Sequence, residues 1–513
     1  MKKLLLIILS FLALSCSKDD NNSNNGGETV NPKVSISVGS SASEPTTNGA
    51  FNISLTGSST TATIVNLSIS GTATNGEDFQ TINNSQVTIP ANTTSHSIPV
   101  TVIDDTDTEG DETIIIEIMS VSNNAEIGTP DSATMTLSEE PETFVLQPED
   151  TANYMVNPNS TDETIALFYN LKTMSPDSFI IGQQDAFNSF YNNAVGDSDI
   201  KKLTGSDPGL LGSDFMFITD DNNDGTASNW FFQQEQIIMA DAVEAYNKGM
   251  VNMFTWHLRE PYDGDHFYVS EMTQFQAENA FASILPGGAN HEYYKQKLQK
   301  VADVANNLIG SDGKKVPIIF RPFHEFDGNW FWWGDDYCSP QQFIECWQFT
   351  VTYLRDTLGV NNMLYAFAPD NSYTTEALYL QRYPGDAYVD ILAMDNYGDF
   401  NNQGQSGVTA ANNKLKIVSD LAKQRVKIAA LSETGYFVTP GDNNPISNFY
   451  SSNLYNAITN NNNHIAFMMF WSNNENTYCT PVPGMTDAND FIEFTNKPKS
   501  LLENELPNMY QLP

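Results

Sequence analysis

VPIIFRPFHEFDGNWFWWG, residues 316–334, opens as an apolar run and ends in a cluster of charged, imidazole and aromatic groups. A short apolar run that stops abruptly at polar residues reads as a buried strand delivering its last side chains to a rim. Seven more runs of this kind occupy the C-terminal region, at 178–184, 209–215, 249–257, 362–369, 389–397, 427–434 and 465–473. Amphipathic helical stretches at 231–248, 293–309, 340–358 and 410–424 fall between them. Eight strands alternating with helices over residues 145–513 predict an α/β chain folded as a (β/α)8 TIM barrel. A doubly wound sheet is the competing layout. It usually carries a Gly-rich first turn, and neither GxGxxG nor GxxxxGK[ST] stands at a strand end.

In a barrel, chemistry collects where strands end and βα loops begin. The eight runs end in Gln183-Gln184-Asp185, Ser213-Asp214, Thr255-Trp256-His257, Arg321-Pro322-Phe323-His324-Glu325, Pro369-Asp370, Asp395-Asn396-Tyr397, Ser432-Glu433-Thr434 and Phe470-Trp471-Ser472-Asn473. Glu325 and Glu433 end the fourth and seventh runs, which lie nearly across a barrel mouth from each other. Hydrolysing a glycosidic bond takes one carboxyl to protonate the leaving oxygen and a second on the other face of the sugar. Either Glu alone reads as a solvated loop carboxylate; the two together, at those strands, read as a catalytic pair. Around them, FDGNWFWW (326–333) with Tyr262, Phe267, Tyr397 and Trp471 supplies flat rings on which sugar C–H faces stack. Phe326 and Phe331 fit a core role. Three Trp within four positions after a strand fit it less well, and Trp330 and Trp471 are the preferred sugar platforms. His257 is either a buried histidine bonded to a carbonyl or a substrate contact, and its place at a strand end favours the contact. No HExxH or paired-His spacing marks a catalytic metal.

RPFHEFDGNWFWWG (321–334) resembles the acid/base block of glycoside hydrolase family 26. SETG (432–435) resembles its nucleophile block, and YPGDAYVDILAMDNY (383–397) its strand-six region, all in the family's order. The resemblance implies a (β/α)8 barrel and retaining chemistry without a cofactor, with Glu325 as acid/base and Glu433 as nucleophile. It further implies that His324 and Tyr397 orient or hydrogen-bond the nucleophile, and that His257, Trp330 and Trp471 line the sugar subsites beside the cleavage point. The activity it points to first is endo-β-1,4-mannanase on mannan, glucomannan or galactomannan. A β-1,3-xylanase, a mixed-linkage β-glucanase, or a carbohydrate-binding protein on an inactive barrel are the alternatives.

Residues 1–16, MKKLLLIILSFLALSC, place two Lys before an apolar run too short to span a bilayer and end at Cys16. This resembles a bacterial lipoprotein signal, with Cys16 as the lipidated first residue of the mature chain. SKDD (17–20) resembles the acidic tag of surface-exposed lipoproteins, so an outer-membrane protein held at the cell surface by lipid is expected. Residues 17–32, polar and Asn/Gly-rich, read as a flexible linker. Residues 33–140 then alternate apolar residues with Ser and Thr in seven runs, 34–40, 50–57, 62–73, 85–91, 94–104, 111–121 and 132–138, predicting an all-β, immunoglobulin-like antiparallel sandwich. That segment resembles the Calx-β domain. The resemblance places Glu44, Asp78, Asp104, Asp105, Glu109 and Glu112 at positions that would carry a structural Ca2+, for which hard carboxylate oxygens suit. Only Glu139 and Glu140 follow the last strand, and a spacer with a solvated acidic face is the competing reading. A sugar-binding role for this segment is disfavoured because it holds no Trp or Tyr.

With 24 Lys and Arg against 63 Asp and Glu, the 513 residues carry a formal charge of −39, which disfavours nucleic acid as a partner. A monomer acting on a polysaccharide is expected. After Cys16 three cysteines remain, so at most one disulfide can form. Cys338 and Cys479 fall in loops and are the candidates to pair, whereas Cys346, on a helix beside Trp347, reads as a small buried apolar residue.

Overall fold

The computed structural model describes residues 31–44, 47–82, 85–103, 110–138, 144–439 and 441–513. The signal segment with Cys16, and most of the linker, lie outside them. The chain divides into two compact units between Val145 and Leu146.

The first unit is a two-sheet sandwich. Its described strands are β1 (Lys33–Ser40), β2 (Ala42–Ser43), β3 (Gly49–Leu55), β4 (Thr63–Gly71), β5 (Gln86–Ile89), β6 (Ser95–Val100), β7 (Glu112–Val121), β8 (Glu126–Ile127) and β9 (Ser132–Ser138). One sheet runs β6-β3-β1-β8 and the other β2-β9-β7-β4-β5. Alternate residues such as Val34, Ile36, Phe51, Ile53, Ile114, Ile116, Met135 and Leu137 meet between the sheets, so the two-residue period of each strand builds the core. The seven expected runs are all strands. The departure from a purely antiparallel sandwich is two short parallel pairings, β1 with β8 and β2 with β9. Of the six carboxylates assigned to Ca2+, Asp104, Asp105 and Glu109 lie outside the described residues. Asp78 is buried and its Oδ2 accepts the Thr74 N–H, closing a local turn. Among the described residues, no group of three or more His, Cys, Asp or Glu gathers as a metal site.

The second unit is the barrel. Its strands are β10 (Phe179–Gln184), β11 (Leu210–Asp214), β12 (Val251–Trp256), β13 (Ile318–Pro322), β14 (Met363–Phe367), β15 (Ile391–Asn396), β16 (Ile428–Thr434) and β17 (Phe467–Phe470). All pair in parallel in chain order, and β17–β10–β11 pairing closes the ring. The helical stretches read from sequence appear as Trp230–Asn247, His291–Asn307, Pro340–Thr352 and Gly404–Gln424.

Strand parity sorts the core into two sets. Ile180, Met253, Ile319, Leu364, Ala366, Ile391, Ala393, Ile428, Ala430, Phe467 and Met469 cluster with one another, filling the barrel interior, and Leu167, Phe168 and Leu171 of the helix Asp162–Met174 pack on the same cluster. Their sequence neighbours, among them Ile181, Phe254, Ile318, Phe320, Leu392 and Met468, belong to the larger cluster shared with the surrounding helices. This alternation is what a closed barrel requires. Carried two residues further, the interior parity reaches Thr255, Arg321, Asp395 and Ser432, all fully or almost fully buried. The last layer of the lumen is therefore polar.

Cys338, Cys346 and Cys479 are all buried free thiols, so the pairing considered for Cys338 and Cys479 is not formed. Cys338 Sγ instead lies 3.2 Å from Arg382 Nη1, and Cys479 packs under Gly435.

Candidate active site

Arg321 organises the barrel mouth. Its guanidinium is fully buried and donates through Nη1 to Asp395 Oδ2, through Nη2 to Glu433 Oε2, and through Nη2 to Thr255 Oγ1 at 2.9 Å. Asp395 also accepts from Ser432 Oγ at 2.7 Å. A register shift between β15 and β16 lets Asp395 pair with Glu433 instead of Ser432. This bulge brings the Ser432 hydroxyl and the Glu433 carboxylate to the same buried charge. Glu433 Oε1 accepts from Tyr397 Oη at 2.9 Å. Two donors, one of them cationic, therefore stabilise negative charge on Glu433.

Glu325 has a different environment. The backbone leaving β13 takes positive φ at Phe323 (49°) and again at Glu325 (53°), a strained path that typically marks functional sites. The Glu325 N–H donates to Ala368 O at 2.9 Å, tying the turn to the end of β14. Its carboxylate accepts from Trp330 Nε1 at 2.6 Å. Burial pushes the Glu325 carboxyl well above the ordinary carboxylate range, and the charges of Glu433, Asp395 and Asp370 push it further. Its folded pKa lies above its unfolded one. Neutral Glu325 thus supports the fold at acid pH, and that contribution is lost as pH rises through the raised value. One mouth so holds a carboxyl bonded to Arg321 and Tyr397 and a second carboxyl biased to keep its proton.

Aromatic rings surround the pair. Trp330 is 37% exposed and lies so close over Gly328 that a Cβ there would sit 2.2 Å from the indole. Trp332 and Trp333 are fully buried, with Nε1 groups bonded to Leu258 O and His324 O. Two of the three clustered Trp are therefore core, contrary to their loop-like sequence setting. Phe331 is also core, stacked between Tyr268 and Trp333. His324 does not reach Glu433. It is buried beside His257, with ring centroids 4.7 Å apart and Nδ1 unpartnered, and among the described residues it makes no hydrogen bond to Glu433. Tyr397 alone of that expected pair reaches the carboxylate. His257 Nδ1 lies 2.5 Å from Asp214 Oδ2, and Asp214 Oδ1 accepts the His257 N–H at 3.2 Å. A carboxylate acceptor at Nδ1 makes that nitrogen the donor. Trp471 stands edge-on to His257, with centroids 6.0 Å apart.

Sequence reasoning placed Arg321, Asp395 and Asp214 at strand ends without giving them work. It missed Phe437, which is 47% exposed and stacked 5.4 Å from Tyr397. Strand parity would have found Arg321 and Asp395; nothing in the sequence marks Phe437.

A closed parallel barrel with two unlike carboxyls beneath aromatic rings at its C-terminal rim is the architecture of a two-carboxylate glycoside hydrolase. The model of Glycosyl hydrolase family 26 matches residues 156–476, and that of the Calx-beta domain matches 31–141. The chain belongs to glycosyl hydrolase family 26. It superposes on the structure of GH26C from Muricauda sp. MAR_2010_75 with a TM-score of 0.72 and 64% identity, over 72% of this chain and 99% of that one. The family 26 β-mannanase of Bacteroides ovatus gives a TM-score of 0.60 and 30% identity over 69% and 98%. A mannan endo-1,4-beta-mannosidase of Bifidobacterium adolescentis is 31% identical over 364 residues, 68% of this chain. The match spans only 35% of that relative's own length.

Replacing Arg321 with Met would strand two buried carboxylates. Denaturant titration should show a loss of about 3–5 kcal/mol. A variant as stable as wild type would contradict the role given to this cation.

Proposed function

We propose that the protein is a retaining, endo-acting β-1,4-mannanase. The observation that carries this reading is the asymmetry of Glu325 and Glu433 at one mouth. The Glu325 carboxyl gives its proton to the glycosidic oxygen while the Glu433 carboxylate attacks the anomeric carbon. The bond to the leaving sugar breaks, and an ester to Glu433 forms. Water then yields a proton to the Glu325 carboxylate and attacks the same carbon, and Glu433 leaves as carboxylate. Two inversions give net retention, and the electron flow closes without a metal. Arg321 and Tyr397 hold the attacking oxygens in place. In this reading Trp330, His257 and Trp471 pack against and hydrogen-bond the sugars flanking the bond, as the family resemblance implies.

The choice of mannan as polymer rests on the activities named for the relatives from Bifidobacterium and Bacteroides. β-1,3-Xylan and mixed-linkage glucan are the competing substrates, and a panel of pure polysaccharides separates them. For the rest of the chain, we infer lipid attachment at Cys16 and display at the cell surface, on the strength of residues 1–20. We also infer Ca2+ in the sandwich, on the strength of its acidic loops.

Glu433→Ala should lower reducing-sugar release from mannan by a factor on the order of a thousand or more. Full activity in that variant would end the mechanism. In wild type, kcat/KM should fall as pH rises through the raised pKa of Glu325. In Glu325→Gln, assayed on an aryl glycoside whose leaving group needs no proton, that fall should vanish. Cys16→Ser should move the protein from the membrane to the soluble fraction, and unchanged fractionation contradicts the anchor. Adding Ca2+ should raise the melting temperature of the sandwich, and an unmoved transition contradicts the metal.

A further inference from the structure

The loop from β12 to the helix Gln274–Ile284 begins at His257, inside the site, and runs outward through residues the mechanism does not use. Its middle is anchored by a carboxylate. Glu260 is fully buried and accepts three backbone N–H bonds, from Tyr262 at 2.7 Å and from Asp263 and Gly264 at 3.0 Å. Gln276 Nε2 reaches back to Asp263 Oδ2 at 2.7 Å, and Thr273 with Gln276 forms a reciprocal cap on the helix. Gly264 has φ 76°, a left-handed conformation that strains any side chain, and a Cβ there would press on the Asp221 carboxylate.

This framework holds its rings outward. Tyr262 is 37% exposed and Phe275 is 61% exposed, with centroids 5.2 Å apart. Further along the same loop Tyr268, 40% exposed, stacks on Phe331 at 5.3 Å, and the Val269 N–H donates to Trp330 O at 2.8 Å. One loop thus links the ring beside Glu325 to an exposed aromatic pair. Rings fixed in advance bind at little entropic cost. Exposed rings on a loop that starts inside a binding site mark a contact surface.

We propose that Tyr262 and Phe275 form an outlying sugar platform, which takes units of the polysaccharide beyond those held at the cleavage point. The occupant is the enzyme's own β-linked polymer, because the loop that carries Tyr262 begins at His257 inside the site and is tied to Trp330 through the Val269 N–H, and because apolar ring faces beside a phenol hydroxyl suit a sugar ring. This inference rests on the glycosidase reading of the site.

The test compares the full chain with Tyr262→Ala, Phe275→Ala and the double variant. Each is assayed on soluble galactomannan and on mannotetraose, and run in native gels with and without galactomannan. The double variant should lose about threefold to tenfold in kcat/KM on the polymer, and its retardation in the gel, while staying within about twofold of wild type on mannotetraose. Equal activity on the polymer overturns the platform. An equal fall on both substrates overturns it too, since that marks general damage to the loop. If wild type cleaves neither substrate, the glycosidase reading fails. In that case gel retardation decides the platform: it stands if the double variant loses retardation and falls if it does not.

Discussion

A guanidinium with no access to water sits between two carboxylates at the mouth of the barrel, and the rest of the site depends on it. Arg321 is tolerable there because Asp395, Glu433 and Thr255 accept from its two terminal nitrogens, although its Nε–H has no partner among the described residues. In return it fixes the Glu433 carboxylate and stabilises its charge. Among the described residues, Glu325 receives no such cation contact. It has one indole N–H, and the negative charges around it oppose its ionisation. Two side chains of the same chemistry thereby sit in unlike surroundings within one cleft, one bonded to a guanidinium and a phenol and the other facing negative charge, which suits a nucleophile and an acid.

The placement of these groups follows from the way the barrel packs. The parity that turns Ile319, Ala393 and Met253 into the lumen turns Arg321, Asp395 and Thr255 into it one pleat later. The bulge at Ser432 is the one break in that rule, and it lets both Ser432 and Glu433 address the same buried charges. Packing and chemistry thus share a single strand register.

Much of this was legible in the sequence. The apolar runs are long enough, and end sharply enough, for all eight barrel strands to be read in order. Glu325 and Glu433 stood out because each closes such a run. The partners of Glu433 were harder to see because a strand-end Arg or Asp reads equally well as a solvated rim charge until the lumen parity is applied. Trp332 and Trp333 misled for the opposite reason. They follow a strand as loop residues do, yet the loop folds inward, and their indole N–H groups find carbonyls inside. The role of His324 beside the nucleophile is implied by the family resemblance, whereas the positive-φ residues on either side of it set its ring against His257. Tyr262 is legible as a rim ring, but no periodicity announces Phe437 or Phe275, because exposed loop rings obey no repeat.

The account stands on Glu433 as the atom that bonds to sugar. A 2-deoxy-2-fluoro-mannosyl fluoride, which forms the glycosyl ester quickly and hydrolyses it slowly, would capture that bond. Digestion and mass mapping of the inactivated protein should find one fluorosugar per chain, on Glu433. A label on Glu325, or time-dependent inactivation with no covalent sugar at all, would contradict it.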